Sequence, residues 1–255
     1  MRAFFAFTKK EITFQIRSKR FMILAIIFAF LGITNPLIAK TTPWLLDLLS
    51  ESLAETGMNI TVTESTALDS WTQFYKNLLM GTVAFIVLES NIFTKEYSSG
   101  SLILSLTKGL DRYKVILAKS GVLVALWSIL YYTCFFFTWA INLCLWDTVV
   151  NNLFFSAFCW WFFGVWLISL VVLFSVIAKS NVVVLAGVGG SFIVPYLITL
   201  LPKIDKFMPT YLSCGTVLVY ELADVKSFVP SIIIALVFIV FAMVASVPIF
   251  NKKQL

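Results

Sequence analysis

The sequence contains no histidine. That absence removes Ser-His-Asp and Cys-His catalysis, histidine-ligated metals and histidine pH switches together. Cysteine is scarce. Cys134, Cys144, Cys159 and Cys214 show no Cys-x-x-Cys spacing, and three of them lie in apolar runs. A thiol there behaves as a small hydrophobe, so neither a disulfide framework nor a zinc site is indicated. Charge is scarce as well: 13% of the 255 residues are charged and 60% hydrophobic, with a mean hydropathy of +0.95. A soluble domain carries about 25% charged residues, so a water-soluble globule is excluded. The 25 Phe, 8 Trp and 8 Tyr exclude a disordered chain. No phosphate loop, dinucleotide glycine motif, zinc-protease motif or paired-carboxylate constellation occurs.

What the sequence does have is long apolar runs. Six segments reach the roughly 20 residues needed to cross a bilayer: 21–39, 71–93, 120–146, 153–178, 182–201 and 229–250. The last four contain no Asp, Glu, Lys or Arg. The first reads as a retained span, because a 20-residue basic lead is long for a signal peptide. Spans this poor in ionisable groups argue against ion-coupled transport. Glu89 alone lies deep enough to be a coupling carboxylate. Its blander reading is a hydrogen-bonded group beside Lys95 or another cytosolic charge.

Orientation follows from the Lys/Arg positions. Arg2, Lys9, Lys10, Arg17, Lys19 and Arg20 precede the first span. Lys95, Lys108, Arg112, Lys114 and Lys119 lie between the second and third, and Lys179, Lys252 and Lys253 fall on the same side. The other side holds only Lys40, Lys76, Lys203, Lys206 and Lys226. Both termini are therefore expected in the cytoplasm of a multi-pass plasma-membrane protein. The net charge of +6 is a topology signal beside anionic lipid, and a nucleic-acid partner is not indicated.

The connections are patterned. At about 100° per residue, Arg2, Lys9, Lys10, Arg17 and Arg20 share one arc of a helix over 1–20. Phe4, Phe5, Phe7, Ile12, Phe14 and Ile16 lie outside it. This predicts an interfacial elbow helix rather than a solvated flank. In the 40–70 connection Thr42-Pro43 predicts a cap and first-turn proline. Asp47, Glu51 and Glu55 would share one face, Leu45, Leu49 and Leu53 another, and Gly57 a stop. The expectation is a short helix on the outer leaflet; the sharper alternative is an acidic vestibule for cationic cargo. Asn59-Ile60-Thr61 matches a glycosylation sequon. The 202–228 connection, with Pro202, Pro209, Gly215 and Tyr211, predicts short re-entrant or surface-lying helices.

Within the spans, Trp160, Trp161, Phe162, Phe163 and Trp166 either line a path for apolar cargo or pack helices. Phe85, Glu89 and Tyr196 are candidate cargo-path residues. Ala186, Gly187, Gly190 and Ser191 form small-xxx-small pairs, and Pro195 predicts a kink.

The connection 94–119 carries the most information. It reads as a short amphipathic helix, a glycine-containing break and a basic lead into the third span. Glu96-xxx-Gly100-Ser101-Leu102, further leucines including Leu104, then Asp111-Arg112 and Lys119 before a span resemble the signature of the ABC-2 type permease family. That family shows Glu-xxx-Gly-Thr-Leu, a leucine run, a small-Pro pair, a Ser/Asp-Arg pair and a Lys. Ser101 stands in place of Thr, and Lys108-Gly109 in place of the small-Pro pair. The six-span layout with a basic elbow is similar across the whole chain.

The resemblance implies an all-α membrane protein of one domain over 1–255, the transmembrane subunit of an ATP-binding cassette exporter. It implies that Glu96, Tyr97, Gly100, Ser101, Leu102 and Leu104 form a coupling helix seated on a separate ATPase subunit. Asp111, Arg112 and Lys119 would hold that helix on its C-terminal side, and Arg17, Lys19 and Arg20 the elbow junction. The chain itself would carry no cofactor or metal and would not be an enzyme; ATP and Mg2+ would belong to the partner. A second permease copy, identical or not, is implied. The spans favour amphipathic or hydrophobic cargo; the resemblance to compact permeases implies antimicrobial or cytolytic peptide first, with drugs, lipid or polysaccharide as alternatives. A stand-alone carrier would call for intramembrane charges or inverted repeats, a membrane enzyme for a nucleophile with a base. A toxin-binding immunity protein would leave the coupling-type loop without a purpose.

Overall fold

The computed structural model describes residues 2–54, 64–100, 102, 106–107, 109–147, 149–198 and 204–253, and every element among them is helical. α1 covers Arg2–Arg17, α2 Lys19–Ala54, α3 Ala67–Glu89, α4 Thr94–Ser99 and α5 Arg112–Leu145. α6 covers Leu153–Ile177, α7 Asn181–Ile198, α8 Gly215–Val219 and α9 Val229–Lys252. Among the described residues, α2, α3, α5, α6, α7 and α9 are long and apolar enough to cross a membrane. The all-α, six-span class expected from the sequence is the observed one.

Local chemistry sets several boundaries. The Asp69 carboxylate accepts from the backbone N–H (2.8 Å) and hydroxyl (2.9 Å) of Thr66, which starts α3. α4 stops where Gly100 takes φ +64°, a left-handed conformation that costs glycine little. Asp111 opens α5 and pairs with Lys114 at 2.6 Å.

Two boundaries differ from expectation. No cap forms at Thr42-Pro43; α2 runs through Pro36 and Pro43 to Ala54. Proline removes the hydrogen bond to the carbonyl four residues back. For Pro36 that carbonyl is Gly32, and the Thr138 hydroxyl of α5 donates to it at 2.9 Å. The Thr42 hydroxyl bonds back to the Ile38 carbonyl at 2.6 Å instead of capping a new helix. Helix α5 likewise begins well before the apolar run at 120. Gly57, the 59–61 sequon, Glu55, Ser101, Leu104, Lys108, Pro202 and Lys203 lie outside the described residues.

The core centres on α5 and α6, which are mostly buried, whereas α7 and α9 expose most of their apolar surface. Trp71, Phe74 and Tyr75 of α3 interlock with Tyr131 and Phe135 of α5. Gly164 of α6 lets the Trp127 ring approach so closely that an added Cβ would sit 2.2 Å from it. Trp127 and Tyr131 then donate to the carbonyls of Trp161 (3.1 Å) and Ala157 (2.8 Å). Trp160, Phe163 and Trp166 are buried in this packing. Short helical turns at 205–228, which bury Tyr211, Leu212 and Phe228, lead into α9.

Candidate functional site

Helical spacing sets up the site. Phe7, Glu11 and Gln15, four residues apart, form one stripe of α1, and all three are buried. Phe5, Ile12 and Ile16 project from a second, exposed apolar face. Lys9, Arg17 and the exposed part of Lys10 make a third, basic face. The inward stripe is thus partly polar. It meets α5 at Lys119 and α4 at Glu96.

Lys119 is 1% exposed. Its ammonium donates to Glu11 at 2.9 Å and to the Ile92 carbonyl at 3.3 Å, and it forms an ion pair with Glu96 at 3.0 Å. The rings of Phe7 and Phe93 lie 5.8 and 5.5 Å from the nitrogen. Lys10 bridges the same two carboxylates, at 3.4 Å from Glu11 and 3.3 Å from Glu96. Two cations and two anions therefore close a neutral cluster. Charges removed from water cost several kcal/mol each unless paired and hydrogen-bonded, and here every member has an opposite charge within 3.4 Å.

The polar contact continues along α1. Gln15 donates to Glu89 of α3 at 2.6 Å. Arg20 donates to the Leu88 carbonyl at 3.2 Å and to the Asn91 side chain. A cavity of about 270 Å³ opens beside these groups, lined by Lys10, Gln15, Glu89, Lys95 and Lys119 among others.

Of the residues expected at this end, the structure brings together Glu96, Lys119 and, through the 88–91 turn, Arg20. Tyr97 packs between Phe93 and Phe250 (6.2 and 6.4 Å). Leu102 is buried, while Arg17 and Lys19 are exposed. Asp111 pairs with Lys114, and Arg112 turns toward the end of α9, where it donates to the carbonyls of Phe250, Asn251 and Lys253. Lys119 meets Glu96 within α4 itself. The three cargo-path candidates separate: Phe85 is core against Trp127 (5.4 Å), Glu89 joins α1, and Tyr196 stacks on Phe192 at an exposed face of α7. Sequence reasoning missed Glu11 and Gln15. The available signal was one acidic residue in an otherwise basic segment, four positions from a polar amide.

An all-helical bundle with six membrane-length helices and a buried charge cluster at one end is a multi-pass membrane protein. The chain matches the family described as ABC-2 family transporter protein over residues 5–255 and belongs to it. It is accordingly the membrane subunit of an ABC transporter, which works with an ATPase partner. No curated protein sequence and no solved structure matches the chain significantly.

Proposed function

We propose that α1 is the elbow, α4 the coupling helix, and the Lys119 cluster the joint through which ATPase movement enters the spans. The end carrying α1 and α4 then faces the cytoplasm. A single buried ammonium bonded to both α1 and α4 supports this reading. It lets a push on α4 carry α1 and α5 along as one body, since sliding α4 away would strand a buried charge. Closure of the ATPase dimer biases the spans only through contacts that differ between its open and closed states, and α4 is the element placed to feel that difference. Two copies form one path and export amphipathic or hydrophobic cargo, a peptide in the first instance. The charge-poor spans and the aromatic surfaces favour such cargo over ions.

The test uses the assembled transporter in inside-out vesicles and a fluorescent amphipathic helical peptide as probe. Lys119→Met combined with Glu11→Gln removes one charge of each sign and keeps the cluster neutral. ATP-dependent peptide uptake should fall at least tenfold while the ATPase still co-purifies. Undiminished uptake in that variant would reject the joint, and absence of ATP-dependent uptake in the unaltered transporter would reject the peptide.

A further inference from the structure

The cluster uses one side of α4. The opposite side has its own partners, at the turn between α6 and α7. Arg112 gathers the carbonyls that end α9, including that of Lys253 at 3.0 Å. These carbonyls lie beyond the reach of the regular hydrogen bonds of the helix; that of Phe250 also accepts the Lys253 N–H at 3.3 Å. A cation at the start of its own helix is unfavourably placed, so the reach toward the end of α9 gives Arg112 a better electrostatic position. This fixes the backbone of Lys253. Its ammonium then donates to the carbonyls of Val176 (2.7 Å) and Ala178 (2.9 Å), which end α6. Its third direction meets the ring of Tyr97, 3.9 Å from nitrogen to centroid. Next to it, the Thr94 hydroxyl donates to Asn181, the first residue of α7, at 2.6 Å. Ser175 of α6 donates to the Ser90 carbonyl at 3.1 Å.

We infer that Lys253 is a positioning residue that links α4 to the α6–α7 turn, by a route separate from the Lys119 cluster. This rests on the coupling reading of α4. Glu96 and Tyr97 are neighbours in sequence and face different partners. Glu96 holds α1 and α5; Tyr97 holds, through Lys253, the ends of α6 and α9. A displacement of α4 therefore reaches both groups of helices at once. Burial, and next the nearby Lys179, push the Lys253 pKa down. The charge sits there against that cost, offset by helix-end carbonyls and a ring. A lysine serving only as a positive flank would point into water.

The test is hydrogen exchange on the assembled transporter in nanodiscs, with and without ATP plus vanadate, followed at 2–17 and at 177–184. In the unaltered transporter both segments should change. Lys253→Met should reduce the change at 177–184 at least threefold and leave that at 2–17 in place, and Lys253→Arg should restore it. Tyr97→Leu, which leaves the carbonyl bonds of Lys253 intact, should weaken the same response, and serves should Lys253→Met not assemble. A full response at 177–184 in both Lys253→Met and Tyr97→Leu overturns the link. No response at either segment in the unaltered transporter overturns the coupling reading, and this inference with it.

Discussion

Two halves of the bundle are held in different ways. At the α1–α4 end, charged side chains meet largely away from water: Lys119, Glu11 and Glu96 in one cluster, closed on its outer side by the half-exposed Lys10. Toward the other end, neutral groups hold the helices. Asn77 donates to Asn35, Asn35 to Thr138, and Thr138 to the Gly32 carbonyl, at 2.8, 3.3 and 2.9 Å. Ser156 shares its hydroxyl between Tyr75 (2.6 Å) and the Gly215 carbonyl (2.9 Å). Each neutral bond is worth about 0.5–1.5 kcal/mol net, so losing one is tolerated. A buried ion cluster that loses one member keeps an unpaired charge, at about 3–5 kcal/mol. The neutral arrangement suits a scaffold; the charged one suits a joint that must stay closed while it moves.

The sharpest break of this comparison is the single substitution Lys119→Met. It leaves Glu11 and Glu96 facing each other beside one half-exposed lysine. The purified subunit should lose about 3–5 kcal/mol of stability by this change, read as a large drop in thermal midpoint. Adding Glu11→Gln should recover most of it. A loss below about 1 kcal/mol would make the charged end no different from the neutral one.

Next in size is Gly164→Ala. The new methyl would stand 2.2 Å from the Trp127 ring, on two packed helices with little room to part. Overpacking of this kind costs about 1–3 kcal/mol, and the displaced indole should shift the tryptophan emission. Ser156→Ala comes third. It strips partners from the Tyr75 hydroxyl and the Gly215 carbonyl but creates little void, so about 1–1.5 kcal/mol is expected. An effect of Ser156→Ala larger than that of Lys119→Met would reverse the ordering of the two halves.

Much of this was legible in the sequence because bilayer thickness imposes a length rule that local composition alone can meet. The six spans needed no knowledge of tertiary contacts. The helix start expected at Thr42-Pro43 fails for the opposite reason. The lost bond of the earlier proline, Pro36, is made good by Thr138, over a hundred positions away, and nothing nearby in sequence announces that. Glu96 and Lys119 stood out through their family-like spacing. The periodicity of α1 separates a basic arc from the rest but cannot tell which of the remaining faces turns inward, so nothing in it singles out Glu11 and Gln15. The role of Lys253 depends on three helix ends meeting, which no linear pattern encodes.

The smallest expected effect concerns the outer surface. Lipid tails are as apolar as the side chains they touch, so a lipid-facing residue gains no transfer energy from folding. Val237 on α9 is 62% exposed, whereas Val172 on α6 is fully buried. Val237→Ala should therefore cost within about 0.5 kcal/mol, as surface substitutions do, while Val172→Ala leaves a void and should cost clearly more. Thermal midpoints of the two variants, measured in the same detergent, give the contrast directly. If Val237→Ala matched Val172→Ala, the exposed face of α9 would be covered by protein in the working assembly, and the second copy of the permease would be the occupant to place there.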